Sequence, residues 1–198
     1  MSEENAWQAP PMPAIVRPVG DERDALRTFL EHERHVLVIA AYGLTDEQAW
    51  STPTASDLSI AFLLDHMTST ERTWASMVTG GATAATDLTE PPRTLAELVA
   101  AYEGATAATD AVIDTVDDLD RVVRVADGTR WAPPDIEWSV RWVLLHLIHE
   151  TARHAGHADI IRETIDGATA LPLMAAVEQW PPRRTITPWT PPPSDRPR

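Results

Sequence analysis

The chain of 198 residues has no cysteine and no lysine. The first absence excludes disulfides, protein thiol nucleophiles and cysteine-ligated zinc, so thiol chemistry would need a thiol brought in as cosubstrate. The second leaves all 16 basic positions to arginine. That points to a GC-rich coding bias, although an arginine can still grip a carboxylate through two parallel hydrogen bonds. No run of 18 apolar residues occurs, so no transmembrane helix is expected. The start, Met1 to Pro13, is acidic and proline-rich. It has neither the basic opening nor the apolar core of a signal peptide, and a cytoplasmic location is expected. Positive charge is scarce: the formal net charge is −14. Such a surface repels phosphate backbones, which argues against nucleic acid as a partner. There is also no glycine-rich phosphate loop, no G-x-S-x-G and no internal repeat.

Hydrophobic residues make up 43% of the chain, enough for one domain with a proper core. Residues 1–20 read as an extended arm, with Trp7 and Ile15 available to pin it. Residues 21–167 read as a helical domain, and residues 168–198 as a short helix and a proline-rich tail. Within the domain, Asp21 to Gly43 has the 3.6-residue spacing of a helix, at Leu26, Phe29, Leu30, Val36, Leu37 and Ala40. His32 and His35 lie on it and read as surface, with His35 a weak site candidate. A short turn follows at Thr45 to Trp50.

A second long helix is expected from about Leu58 to Val78, with Ser56, Asp57 and Ser59 as possible caps. Its stripe is Leu63, Met67, Thr70, Trp74 and Met77, and His66 stands at the stripe's edge. That histidine is either a buried imidazole bonded to a carbonyl or a ligand. A loop spans Ala82 to Arg93. The third helix runs from Thr94 to Val116, opened by a Thr94/Glu97 capping box. Its core face is Leu98, Ala101, Ala105, Ala108, Val112 and Ile113. Val122 to Val125 suits a short extended piece, and Pro133 and Pro134 close a linker holding Trp131.

The fourth helix, Trp138 to Arg162, organises the rest. Val143, His146, Leu147, Glu150, His154, His157 and Ile161 share one of its faces. Ionisable groups on an apolar stripe are normally paired, hydrogen-bonded or metal-bound, because burial of an unpaired charge is costly. Glu150 and His154 stand one turn apart. They are either an ion pair or two ligands of one cation. Trp131, Trp138 and Trp142 sit near this polar stripe and could wall a small-molecule pocket. Trp180 and Trp189 could pack back onto the body. Four long helices with substantial connections describe an all-α, four-helix bundle, a fold that builds its sites from side chains on facing helices.

Two segments carry a family likeness. One is His66 behind the pair Leu63-Leu64 and followed by Glu71-Arg72-x-Trp74. The other is HETARHAGHADIIRETIDG, from His149 to Gly167. Together, over about residues 20 to 167, they resemble the DinB-like superfamily, in the branch related to mycothiol-dependent maleylpyruvate isomerase. The resemblance implies a DinB-like bundle holding a divalent metal, usually zinc, by His66, Glu150 and His154. Nickel, iron and manganese suit the same donors. It places His157 as a fourth ligand, a group behind the ligands or a proton carrier.

Two imidazoles and a carboxylate leave a coordination position open, as catalytic zinc requires. The family implies mycothiol as the thiol that would use it, for transfer to, or isomerisation of, an electrophile. His157 and Arg72 are the candidates for the chemistry, and Trp74, Arg141 and Trp142 for holding the cosubstrate. Arg153 is a further candidate for a substrate carboxylate. The competing expectations are a metal-dependent hydrolase or lyase of secondary metabolism using metal-bound water, and a non-catalytic ligand-binding bundle. The expected partner is a small molecule, with no nucleic acid or membrane, and the expected state a monomer or homodimer.

Overall fold

The computed structural model describes residues 14–81, 93–125, 136–181 and 185–191. Trp7, Trp131, Pro133, Pro134 and all but the last residue of the 82–93 loop lie outside them. The elements in chain order are α1 (Glu22–Ala40), α2 (Asp46–Trp50), α3 (Ile60–Val78), α4 (Leu95–Asp114), β1 (Val122–Arg124), β2 (Glu137–Ser139), α5 (Val140–Asp166) and α6 (Ala170–Val177). Among the described residues 64% are helical and the strands form one small two-stranded sheet, so the fold is all-α.

The long helices start where side-chain oxygens take up the free N–H groups of a first turn. Asp21 accepts from the Asp24 amide, Ser59 from Phe62 and Ser139 from Trp142. Thr94 and Glu97 form the reciprocal capping box of α4. At the far end of α5, Gly167 takes φ 79°, a left-handed value that closes the helix with an N–H to the Glu163 carbonyl.

Two details differ from the sequence pattern. Helix α5 begins at Val140, not at Trp138, because Glu137–Ser139 pairs antiparallel with Val122–Arg124, setting Trp138 opposite Val123. Helix α4 also turns differently. Ala108 is exposed, while Tyr102 and Thr109 point inward with Leu98, Ala105 and Ile113. The larger side chains fill space that alanines would leave empty.

Helix α1 packs on α5, and α3 packs on both α4 and α5. The core of this four-helix bundle has two apolar storeys. One gathers Leu37, Leu63, Met67, Leu98 and Ala155. The other gathers Leu30, Trp74, Ile113 and Leu147. Between these levels the four long helices bury polar residues: Arg34 on α1, Thr68 and Glu71 on α3, Thr109 on α4 and Thr151 on α5. Arg34 donates from Nε and Nη2 to both Glu71 oxygens at 2.7 Å, and from Nη1 to Asp110 at 2.8 Å. The threonines donate to carbonyls one turn back, Thr109 to Ala105 and Thr151 to Leu147. A fully buried carboxylate is tolerated here because a two-pronged guanidinium meets it.

The C-terminal stretch packs against α1. Leu173, Met174 and Trp180 surround Ile39, with Trp189 alongside. Buried Arg162 donates to the Ala40 and Tyr42 carbonyls at 2.9 and 2.7 Å, pairs with Asp166, and lies 4.7 Å from the Trp189 ring centre. His35 donates to Glu178 at 2.8 Å, so this candidate is engaged in tying α1 to the tail.

Candidate metal centre

Four-residue steps along a helix keep side chains near one edge. From the end of β2 through α5, such steps pass Trp138, Trp142, His146, Glu150 and His154. On α3 the matching edge carries His66, Ser69, Thr70, Thr73 and Trp74. Where the two edges meet, His66, Glu150 and His154 converge. One donor atom from each lies within 4.8 Å of the other two. The apolar members of the expected stripe, Val143, Leu147 and Ile161, are buried, whereas His146, Glu150, His154 and His157 are only half-buried. The polar members therefore sit at the rim of the α3–α5 seam and not in the core.

The residues present fit a divalent cation. His154 Nε2 and Glu150 Oε2 are 3.3 Å apart. Ligands about 2.1 Å from one tetrahedral ion stand roughly 3.4 Å from each other. The His66 and His154 rings lie 4.8 Å apart in an edge-on arrangement. His154 Nδ1 is buried and has no hydrogen-bond partner. Burial holds the His154 imidazole below its ordinary pKa, and the neighbouring His66 adds to the effect. The ring is therefore neutral at pH 7, the form that ligates.

His157 stands beside this set, its ring 5.8 Å from that of His154. It is outside the converging three, and its Nδ1 is buried without a partner. The remaining sequence candidates divide. Trp74 lines the adjoining cleft, which measures about 360 Å³ and is completed by His66, Ser69, Thr70, Thr73, His146 and Glu150. Trp142 supports that wall from behind, stacked on His146 at 4.8 Å and 10° and on Trp138 at 4.5 Å and 11°. Trp74 meets Trp138 and His146 edge-on at 5.3 and 4.9 Å.

Arg72 and Arg141 are not brought to the cleft. Arg72 is exposed and absent from its lining. Its helix position explains this, because the next residue but one, Trp74, takes the inward direction. Arg141 is held by Glu22 at 2.7 Å and by Asp120, at the mouth of the β-ribbon. Arg153 is also exposed and outside the lining.

The sequence pattern places His146 and Thr70 on their helix stripes without a role at the site, and singles out neither Ser69 nor Thr73. The available signal was spacing. His146 precedes Glu150 by the same four residues that separate Glu150 from His154, and the hydroxyl residues follow His66 at helical intervals. Burial pushes the His146 imidazole below its ordinary pKa, so a neutral proton acceptor faces the cleft.

A family model described as Mycothiol-S-transferase matches residues 25–167. Among solved structures, the crystal structure of the conserved protein of locus from Enterococcus faecalis is similar in fold. It has a TM-score of 0.59 and 15% identity, and the match covers 76% of this chain and 100% of that one. No curated protein matches the sequence.

Proposed function

The chain belongs to the mycothiol-S-transferase family, and on that premise we propose that it is a metal-dependent enzyme joining a low-molecular-weight thiol, mycothiol, to an electrophilic small molecule. The observation that carries the reading is the convergence of His66, Glu150 and His154 within 4.8 Å, beside a cleft, in a chain without cysteine. Those three residues would hold the ion. Zinc comes first among zinc, nickel, iron and manganese, because two imidazoles and one carboxylate are a catalytic zinc's donor set. A divalent ion with an open position supplies acidification of a thiol or water bound there.

The chain's own residues supply the remainder. Glu150 offsets one of the ion's charges and, with His154 one turn away, fixes one side of the centre. His146, whose ring is held between Trp142 and Trp74 and lines the cleft, can receive the thiol proton at a ring nitrogen. His157 stands behind His154 as a second carrier or a support. His146 and the rings behind it wall off solvent on the α5 side, while Ser69, Thr70 and Thr73 offer hydroxyls on the α3 side. In the transfer one C–S bond forms, the leaving group takes the electrons of the bond it breaks, and the thiol proton passes to the base. Isomerisation would instead need a conjugated double bond: sulfur adds to one carbon, the π electrons move onto the conjugated acceptor, the resulting single bond rotates, and expulsion of the same thiolate restores the double bond. The enzyme would act on small molecules in the cytoplasm, as a monomer or homodimer, without nucleic acid or membrane.

The deciding experiment measures bound metal in the purified protein by elemental analysis, then titrates that protein with mycothiol and with a thiol-reactive electrophile. Conjugate formation that needs both metal and thiol is expected. Turnover with metal but no thiol would replace transfer by hydrolysis or elimination. A metal-free protein inert to added ions would leave a ligand-binding bundle.

A further inference from the structure

The cleft beside the three converging residues has an unusual balance of charge, and it bears on which electrophile can enter. This inference rests on the thiol-transfer reading. Among the described residues, no cationic side chain fixed by charge lines the cleft: its ionisable groups are His66, His146 and Glu150. Arg72 is exposed elsewhere, and Arg141 is already paired with Glu22 and Asp120. Across from the α3 hydroxyls stands an aromatic ring of α5, His146, backed by nearly parallel Trp142 and Trp138. Trp74, 3% exposed, reaches the space with little of its ring.

We propose that the cleft selects an uncharged, planar electrophile laid against the His146 ring, and disfavours electrophiles that carry a carboxylate. A carboxylate entering would lose water without gaining a guanidinium from any described residue of the lining, and would face Glu150. The ion cannot compensate once the thiolate is present, because a dication, Glu150 and a thiolate together carry no net charge. A flat ring loses less water and gains an offset or edge-on contact with the imidazole. The cleft's volume of about 360 Å³ lies at the low end of the range for small-molecule sites, about 300–1,000 Å³, and suits one substituted ring.

The first test needs no turnover. Saturable quenching of tryptophan fluorescence is measured in the metal-loaded protein saturated with mycothiol, with 1,3-dinitrobenzene and with 3,5-dinitrobenzoate, neither of which has a halide to lose. The neutral ring is expected to saturate at a concentration lower by roughly tenfold or more. Thr73→Arg, which puts a guanidinium at the half-buried hydroxyl wall, should reverse the order. Equal or tighter binding of the benzoate by the unaltered protein overturns the proposal. So does quenching by both rings that never saturates.

A second test compares mycothiol arylation by 1-chloro-2,4-dinitrobenzene and by 4-chloro-3,5-dinitrobenzoate, each relative to its uncatalysed rate. In both, sulfur bonds to the ring carbon, chloride departs with the C–Cl electrons, and the thiol proton goes to the base or solvent. Greater acceleration of the neutral substrate is expected. Equal acceleration overturns the selectivity while leaving transfer intact. Selective binding without arylation of either substrate keeps the selectivity and removes transfer.

Discussion

Replacing Arg34 by leucine isolates the polar level between the two apolar storeys. The substitution removes three hydrogen bonds, two of them to a Glu71 side chain that is 0% exposed. Asp110, at 42% exposed, keeps its contact with water and adds little to the cost. The penalty is therefore dominated by one orphaned, buried carboxylate. Breaking such a pair from one side costs about 3–5 kcal/mol. For a domain whose whole stability is of the order of 5–15 kcal/mol, that is a large fraction. With a urea slope of about 2 kcal/mol per molar, the unfolding midpoint should fall by roughly 1.5–2.5 M. Urea titration followed by far-ultraviolet circular dichroism reads the shift. The paired variant Arg34→Leu/Glu71→Leu leaves no stranded charge, and most of the loss should return. A single variant that loses less than about 1 kcal/mol, or a double variant no more stable than the single, would refute this account of the level.

His154→Ala should abolish metal binding with the helical content kept, and Glu150→Gln should weaken it more than His157→Gln does. Metal analysis checks both, and equal losses in the last two would move His157 into the ligand set. Arg162→Leu strips donors from the Ala40 and Tyr42 carbonyls and leaves Asp166, 7% exposed, without its partner. A loss of about 3 kcal/mol in chemical unfolding is expected. The metal-free protein should lose stability in acid. Burial sets the folded pKa values of His146 and His154 below their unfolded ones, so the folded state holds fewer protons. The stabilisation is complete above the unfolded value and disappears as pH falls through the folded ones. Asp159 works in the opposite sense. Burial, with Glu163 and Glu33 nearby, raises its carboxyl to about 6, so protonation below that pH favours the fold. Asp159→Asn should raise the melting temperature at pH 8 and make the acid loss steeper, and a gentler loss in that variant would contradict both signs.

The helices were legible wherever a local rule was enough. The Thr94/Glu97 box opens α4 as its spacing demands, and Gly167 ends α5 in the conformation its residue type favours. Trp138 was misplaced because its partner, Val123, lies fifteen residues upstream, and nothing local says that the two pair. The turn of α4 was misread for a similar reason. Alanine suits either face of a helix, and only the neighbouring helices decide that Tyr102 goes in and Ala108 out. At the site, the one-turn step from Glu150 to His154 could be read directly. Bringing His66 to them is a long-range fact that only the family likeness anticipated. Arg72 and Arg141 were judged from shared helices, but a helix has several faces, and theirs lead to water and to Glu22.

The level formed by Arg34, Glu71, Thr109 and Thr151 also works as an index for axial alignment. Sliding α3 along α1 by one turn, about 5.4 Å, would part Glu71 from its guanidinium and set a carboxylate among leucines. Greasy surfaces alone tolerate such slippage, but a single matched pair at mid-height does not. His66 rides on the same rod as Glu71, and Glu150 adjoins Thr151, so the donors inherit a setting established elsewhere. The frame can therefore present its three donors before any ion arrives. A descendant could exchange those donors for another trio and still keep the rods in step.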